Sequence, residues 1–463
     1  MRKILIASLG AGNKERKYNN TNYIIDNKIY PNEKYVASAL EKHFNIDKTF
    51  YIGTLGSMWE NVYNHYCNKL KKIKNDNYEE EIFYKMAEFI EEPIANKQKY
   101  PLDFINFKEF IETFDNKVIP IITSYGMNDR EIFENFNNIL TIMEQLEDGD
   151  KLYLDITHSF RANAFWMFLV MNYINDVTDK DIAIEYISYG MYEAKEKNID
   201  NVEVTPIINL KVFFDLTKWI KGAYTFKNFG NSDLICELIE EENKDIKNKL
   251  KNFSDAININ YVSSLKESIK SLKKNYDLMN KLDGPAKLII PKVVSEFLEH
   301  FKGTEEAEDY EVFFKLAKWH QKEKRYSVAY TNVHEAFKSY AEFNGFYDGE
   351  GVKKLLDEFS RTLFYLEDKN NPKSKLILKD KYIRNKVFDN KTETILRDFL
   401  ESYFYSRDVR NNIAHSEKYS SGKKKNVNAD ADIKSLEKVL NSLENIIQNK
   451  YFLKNCKEKA ENY

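Results

Sequence analysis

An alternation of short apolar runs with longer amphipathic stretches, across roughly the first two hundred residues, limits the fold more than any other feature. The apolar runs have the length of strands, and they lie at 3–8, 48–54, 118–123, 152–157, 182–190 and 204–208. Strands separated by helical segments are typical of a parallel sheet that is covered by helices on both faces. The sequence therefore predicts an N-terminal α/β domain of the Rossmann-like, doubly wound kind.

The strand pattern stops at about residue 211, and the rest of the chain is predicted to be helical. Residues 237–282 are rich in Lys, Glu and Asn with few apolar residues, which indicates a solvated helical connector ending at Gly284-Pro285. Apolar residues then recur at helical spacing over 312–343 and 432–452. From these changes we predict three regions, at 1–225, 226–305 and 306–463.

Composition and charge exclude several classes of protein. The net charge is −3 although 31% of the residues are charged, so nucleic acid would have to bind a local patch. Cys67, Cys236 and Cys456 form no CxxC pair, which argues against structural zinc and fits a reducing compartment. The N-terminus opens directly into a strand, and no run of about 18 apolar residues follows. We therefore expect a cytoplasmic protein that does not enter the membrane.

Small and polar residues follow three of the predicted strands, in the segments SLGAGN, GTLGSMW and DITHSFR. The carboxyl ends of parallel strands meet at one edge of a sheet, where ligands bind. Backbone N–H groups and hydroxyls at the start of a helix form a natural phosphate site. A dinucleotide oxidoreductase is disfavoured, because Glu15 occupies the place of the third glycine and the second strand ends in Gly53-Thr54 without an acidic residue.

A second candidate site is the segment RNNIAH near the end of a predicted helix, with Arg410, Asn411 and His415. Asn411 and His415 are four residues apart and share a helix face. An arginine, an amide and an imidazole suit metal-free RNA cleavage, in which a ribose 2′-hydroxyl attacks its own phosphate while histidine moves the proton. The alternative is a surface arginine and a helix-terminal histidine that is favoured by the helix dipole.

These segments resemble a known pair of domains. The N-terminal part resembles a CARF domain, the Rossmann-fold sensor of cyclic oligoadenylates in CRISPR systems. The resemblance lies in the segments LDITHSFRANAF, IGTLGSMW, SYGMYE and WIKGAYTFKNFG. The C-terminal part resembles a HEPN domain. The signature of that domain is an arginine, a polar residue, a short spacer and a histidine, and RNNIAH matches it. In this order the two domains resemble the Csx/Csm-type auxiliary ribonucleases of type III CRISPR systems.

The resemblance implies a fold and a function. The fold would be an α/β CARF domain followed by an all-α HEPN domain. The activity would be metal-independent, single-stranded RNA cleavage that is activated by a cyclic oligoadenylate, with cyclic tetra-adenylate as the expected ring and no cofactor. Arg410 and His415 would be catalytic and Asn411 supportive, in a homodimer that builds one cleft from two HEPN domains.

The resemblance also implies the residues of the ligand pocket. They follow the first, second and fourth strands, and they are Ser8, Gly10, Asn13, Thr54, Ser57, Thr157, His158, Ser159 and Arg161. Several have a simpler interpretation: Gly10 would serve only a tight turn, and Ser57 and Thr157 would only cap helices. His158 is equally well a structural histidine, and Asp155 is expected to brace its loop.

Two other functions stay open at this point. The protein could be a non-catalytic sensor whose HEPN domain only binds a partner or RNA, or an enzyme whose Rossmann-like half degrades its own cyclic ligand. His320 and His334 lie among aromatic residues on predicted helices, which indicates core or interface positions. His334-Glu335 is followed by no second histidine at metal-binding spacing, so a zinc site is not expected.

Overall fold

The protein is described here by a computed structural model, which covers residues 1–11, 18–158, 161–198, 201–347, 351–367, 375–414 and 428–463, with only the backbone of 161–163. The chain divides into two compact units, Met1–Thr217 and Lys218–Tyr463. Each unit is described below by itself.

The N-terminal unit is built on one large sheet. Its strands are β1 (Lys3–Ser8), β2 (Thr21–Ile25), β3 (Lys28–Glu33), β4 (Lys48–Thr54), β5 (Val118–Thr123), β6 (Lys151–Asp155), β7 (Ala183–Gly190), β8 (Glu196–Lys197) and β9 (Glu203–Asn209). The strand order is β3-β2-β9-β7-β6-β1-β4-β5, and β8 pairs with β9. The central strands β7, β6, β1, β4 and β5 are parallel. The predicted α/β Rossmann-like class is therefore confirmed.

Helices cover the two faces of this sheet. They are α1 (Val36–Phe44), α2 (Trp59–Leu70), α3 (Asp76–Glu91), α4 (Ile94–Lys97), α5 (Lys108–Thr113), α6 (Asp129–Leu140), α7 (Arg161–Val177) and the beginning of α8 (Lys211–Phe229). Along β1, Leu5 and Ala7 belong to one buried cluster and Ile4 and Ile6 to another, all with no exposed surface. Burial on both faces explains why the central strands read as continuous apolar runs.

Two features of the sheet differ from the sequence prediction. The sixth predicted strand, β9, is antiparallel to β7 and not part of a purely parallel sheet. The connection from β7 to β9 contains no crossover helix among the described residues, only a short 3₁₀ turn and β8, and a parallel pairing would need such a crossover. The β2–β3 hairpin was not predicted; its two-residue turn, Asp26-Asn27, has positive φ at both positions, as tight hairpin turns require.

The strand order fixes where a ligand can bind. After β1 the chain forms the β2–β3 hairpin at the far edge, then adds β4 and β5 on one side of β1, and returns to β6 on the other side. Such a reversal of strand order is a topological switch point, and it opens a crevice beyond the carboxyl ends of the strands. The segments that follow β1, β4 and β6 all lie at this edge.

The C-terminal unit is almost wholly helical. After the rest of α8 its helices are α9 (Asp233–Leu238), α10 (Lys244–Asn258), α11 (Val262–Lys274), α12 (Tyr276–Met279), α13 (Gly284–His300), α14 (Asp309–Lys322), α15 (Tyr326–Phe343), α16 (Val352–Leu363), α17 (Asp380–Arg384), α18 (Asn390–Ala414), α19 (Ala429–Ile447) and α20 (Phe452–Glu461). The strands β10 (Phe364–Leu366) and β11 (Leu376–Leu378) form a small antiparallel hairpin that an all-α prediction does not include. The helical class of this region is confirmed.

The segment predicted as a solvated connector contributes to a hydrophobic core that it shares with α8, α13 and α14. Ile246, Leu250 and Phe253 on α10 are buried, as are Leu265 and Ile269 on α11. These few apolar residues recur every three or four positions, so a sparse pattern still produces one buried helix face.

The helix α14 belongs to two cores at once. Val312, Leu316 and Trp319 lie in the core that includes α10, α11 and α13. Tyr310 and Phe314 lie in the core formed with α15, α18 and α19. Residues spaced by three or four share a helix face, so α14 presents one face to each core.

None of the helices described here is both long enough and apolar enough to span a membrane.

Candidate functional site

The loops after β1 and β4 are joined to each other at the carboxyl edge of the sheet. The N–H of Leu9 donates to the Ile52 carbonyl at 2.8 Å, and the N–H of Met58 donates to the Gly10 carbonyl at 3.1 Å. The Ser57 hydroxyl donates to the Leu9 carbonyl at 2.8 Å and accepts from the Thr54 N–H at 3.0 Å. The two loops therefore form one rigid wall of the crevice.

The loop after β6 closes against the same wall. The Ser8 hydroxyl donates to the Asp155 carbonyl at 3.1 Å. A Cβ atom on Gly10 would come within 2.8 Å of the His158 carbonyl oxygen, so only glycine allows this approach of the two backbones. The structure thus brings together the predicted residues Ser8, Gly10, Thr54, Ser57, Thr157 and His158.

The serine and threonine side chains at the ends of β1 and β4 point into the protein. Ser8, Thr54 and Ser57 are buried, and the hydroxyls of both serines are used within the protein. Their contribution to a ligand would therefore come from the loops they hold in place. Their direct contact with a ligand stays a prediction.

Asp155 braces the loop after β6, as expected from the sequence. Its Oδ1 atom accepts from the Thr157 N–H at 3.0 Å and from the Thr157 hydroxyl at 2.5 Å. The same hydroxyl oxygen accepts from the Gly190 N–H at 2.9 Å, which ties the loop to the end of β7. Burial raises the pKa of Asp155 to about 6, against the opposing effect of the Thr157 hydrogen bonds.

His158 is a neutral group at this edge. Its ring packs against the Tyr18 ring, with the centroids 4.8 Å apart, and burial lowers its pKa to about 4. Its Nε2 atom is buried without a hydrogen-bond partner in the part of the chain that is described. At neutral pH His158 therefore offers a polar ring nitrogen and an aromatic face, but no positive charge for a phosphate.

Some predicted site residues cannot be located. Asn13, Ser159 and His415 lie outside the described residues. Arg161 is the first residue of α7, and its side chain is not described. The assignments of these four residues stay predictions.

The first five residues of the RNNIAH segment, 410–414, form the C-terminal end of α18, where the sequence predicts them. Arg410 is partly exposed, and its Nη2 atom is 3.6 Å from the Glu335 Oε1 atom on α15. Its Nη1 atom also donates to the Asn411 Oδ1 atom at 3.4 Å. The arginine and the amide of the motif are thus adjacent, and a carboxylate from a neighbouring helix holds the guanidinium.

His334 lies beneath this arginine and serves the core. It is buried on α15, its Nδ1 atom is 3.4 Å from the Ser406 hydroxyl on α18, and its ring packs on Tyr403 with centroids 5.3 Å apart. Burial, with Arg410 and Arg407 nearby, lowers the pKa of His334 to about 4. The prediction that His334 is a core residue is confirmed, and the same holds for His320, which is 3% exposed.

Sequence reasoning missed two residues of these sites. Tyr18 touches the loops after β1 and β6, and Glu335 touches Arg410. No motif marks either residue. Across the described ranges, no group of three or more His, Cys, Asp or Glu side chains is arranged to hold a metal ion.

The sheet, its switch point and its linked strand-end loops define a Rossmann-like α/β domain with a crevice at the carboxyl edge. Residues 4–193 match the family model of the CARF domain of the CRISPR system endoribonuclease Csx1. Residues 215–305 match that of the second domain of CRISPR-associated protein MJ1674. The chain is therefore similar to CRISPR-associated proteins, and its N-terminal part is similar to a CARF domain.

One curated relative and one solved structure give the scale of the similarity. CRISPR-associated protein MJ1674 of Methanocaldococcus jannaschii is 30% identical over 347 residues, which are 71% of this chain and 52% of that protein. The chain therefore spans about half the length of this relative. Enterococcus italicus Csm6 bound to cyclic hexa-2′-fluoro-hexa-dAMP aligns over the whole of both chains, at 11% identity with a TM-score of 0.36. A TM-score of this size does not establish a common fold, so no residue is transferred from that structure.

Proposed function

We propose that the protein is a homodimeric, HEPN-type RNA endonuclease that a cyclic oligoadenylate activates, and that it acts in type III CRISPR antiviral defence in the cytoplasm. The observation that carries the proposal is the position of Arg410 and Asn411, adjacent on a helix of a helical unit that follows a CARF domain. The sensor and the nuclease would be different units of one chain.

The sensor half of the proposal rests on the crevice beyond β1, β4 and β6. The loops there are held by hydrogen bonds among themselves, and Gly10 lets the backbones after β1 and β6 approach closely. Backbone N–H donors at the starts of helices, together with Arg161 in the first turn of α7, suit the anionic phosphates of a cyclic oligoadenylate better than they suit a neutral metabolite. Arg161 would be the cationic member of this set.

The nuclease half of the proposal is a transesterification. A ribose 2′-oxygen forms a bond to the adjacent phosphorus, its proton leaves to a base, and the bond to the 5′-oxygen of the next nucleotide breaks as that oxygen gains a proton. His415 would move the proton, and Arg410 would stabilise the charge on the phosphate oxygens in the transition state. Asn411, in contact with Arg410, would help to orient the guanidinium.

This chemistry predicts the products and the requirements of the reaction. Cleavage of single-stranded RNA should continue in EDTA, because no step uses a metal ion, and it should leave 2′,3′-cyclic phosphate and 5′-hydroxyl ends. The measurement is RNA cleavage in the presence of cyclic tri-, tetra- or hexa-adenylate, with and without EDTA, followed by analysis of the ends. An absolute need for magnesium, or 3′-hydroxyl products, would rule out the mechanism.

The same assay separates the two other functions. A non-catalytic sensor would bind a ring but leave RNA intact with every ring tested. A protein that degrades its own activator would consume the cyclic ligand while RNA stays intact.

An exposed apolar stripe on α7 supports the homodimer. Phe165, Leu169 and Tyr173 are 74%, 56% and 36% exposed, and Val177 continues the line at 58%. These residues are four apart, so they form one face of the helix. A contiguous apolar face of this kind marks an interaction site, and a second copy could cover it with the same face under twofold symmetry.

Replacing Leu169 by aspartate should therefore weaken the dimer. Burial of each leucine contributes about 2 kcal/mol to the free energy of association, and a twofold dimer loses this contribution from both subunits. The dissociation constant should therefore rise at least ~100-fold. Sedimentation velocity over a concentration series measures this. Asn175→Asp is the control, because it adds the same charge at an exposed position of the same helix. Equal dissociation of both variants, or an active wild-type monomer, would contradict the proposed interface.

A further inference from the structure

Tyr18 occupies a position at the crevice that no motif identifies. Its hydroxyl oxygen accepts a hydrogen bond from the Gly10 N–H at 3.1 Å. Its ring lies between two others, 4.8 Å from the His158 ring and 5.2 Å from the Tyr35 ring between centroids. The side chain thus touches the loops after both β1 and β6, the two strands that flank the switch point.

The close fit of Gly10 holds this hydroxyl in one place. A Cβ atom at Gly10 would lie 3.2 Å from the Tyr18 hydroxyl oxygen and 2.8 Å from the His158 carbonyl oxygen. Those contacts are tighter than a side chain tolerates without a shift. Gly10 therefore permits the tyrosine and the β6 loop to approach the end of β1 together.

The hydrogen-bond directions leave one donor unused. The hydroxyl oxygen of Tyr18 already accepts the Gly10 N–H, so its own proton must point elsewhere. No acceptor for that proton is found among the described residues. Burial, with Asp155 and Glu60 nearby, raises the pKa of Tyr18, so the hydroxyl keeps its proton at neutral pH.

We propose that Tyr18 belongs to the ligand site and donates its hydroxyl proton to a phosphate oxygen of the bound cyclic oligoadenylate. This inference rests on the proposed function, since the ligand is the cyclic oligoadenylate of that proposal. Gly10 fixes the hydroxyl, and the rings of His158 and Tyr35 keep the side chain from rotating. A hydrogen bond from a fixed donor to an anionic oxygen is of the stronger, charge-assisted kind.

Tyr18→Phe tests the inference, because it removes only the hydroxyl and keeps the ring packing. The dissociation constant for the activating ring should rise about 10–100-fold, as expected for the loss of one charge-assisted hydrogen bond. The ligand concentration for half-maximal RNA cleavage should rise by the same factor. The maximal rate at saturating ligand should stay unchanged, because the cleft is in the other unit.

Tyr35→Phe is the matched control. It removes a hydroxyl from the neighbouring ring, and that hydroxyl is buried without a hydrogen-bond partner in the described structure. The affinity for the cyclic oligoadenylate should therefore stay within about threefold of wild type, since no ligand contact is lost. Thermal melting without ligand shows whether both variants are folded.

The outcomes separate this inference from the proposed function. If wild type binds none of the cyclic oligoadenylates, the proposed function itself fails. If wild type binds a ring and Tyr18→Phe binds it equally well, the inference about Tyr18 is wrong. Tighter binding by Tyr18→Phe would also overturn it, because the hydroxyl would then compete with the ligand for the Gly10 N–H. A lower maximal rate with unchanged affinity would point to a structural effect instead.

Discussion

A His415→Ala protein should lose ligand-stimulated RNA cleavage, with a fall in rate of about 10²–10⁴-fold, because a general acid–base group contributes on that scale. Affinity for the cyclic oligoadenylate should stay at the wild-type value, since the residue belongs to the C-terminal unit and the proposed ligand site to the N-terminal one. Single-turnover cleavage of a labelled single-stranded RNA and equilibrium binding of the ring measure the two effects separately.

His300→Ala is the matched control for this variant. His300 is another histidine of the same unit, at the end of α13 and outside the motif. Its loss should leave cleavage within a few fold of wild type. Cleavage that survives in His415→Ala would exclude the motif as the catalytic site, and loss of ring binding in the same variant would contradict the separation of sensor and nuclease.

An Arg161→Ala protein should show the opposite behaviour. Stimulated cleavage should disappear at ligand concentrations that activate wild type, while the low basal rate remains, because the cleft is unchanged. A bidentate arginine–phosphate contact is strong, so the dissociation constant for the ring should rise on the order of 100-fold. The measurement is basal and stimulated cleavage together with ring affinity in the same preparation.

Arg130→Ala provides the comparison for the lost positive charge. Arg130 is an exposed arginine on α6, and its only ion pair among the described residues is with Glu134 one turn away; such surface pairs contribute little. It should behave as wild type. Equal loss of basal and stimulated cleavage in Arg161→Ala would mean that the residue supports the fold and not the ligand.

The central strands could be predicted from sequence because both of their faces are buried. KILIAS and VIPIIT contain continuous apolar runs, as strands that are buried on both faces require. The β2–β3 hairpin escaped prediction because it lies at the sheet edge and mixes polar with apolar residues. The direction of β9 depends on the length and shape of its connection to β7, which residue patterns do not encode.

The sequence predicts where the candidate sites lie along the chain better than it predicts which atoms their side chains contact. Motif spacing located the strand ends and the arginine on α18, since both follow from local periodicity. It could not tell that Ser8 and Ser57 direct their hydroxyls inward, because that depends on which carbonyl oxygens the neighbouring loops bring close. Tyr18 and Glu335 escaped for the same reason, since each reaches its partner through tertiary packing and not through a motif.

The double role of α14 limits how this chain can be divided for experiments. A fragment that starts near residue 306 would keep the helix but lose the partners of Val312, Leu316 and Trp319, which pack in the core that includes α10, α11 and α13. Three large side chains would then face water, an aggregation hazard for the fragment. A fragment that keeps this core intact would have to carry α8 from Lys218 onward together with α9–α13. Within this unit the two cores would gain and lose order together, so the predicted boundary at 305/306 is a poor place to cut.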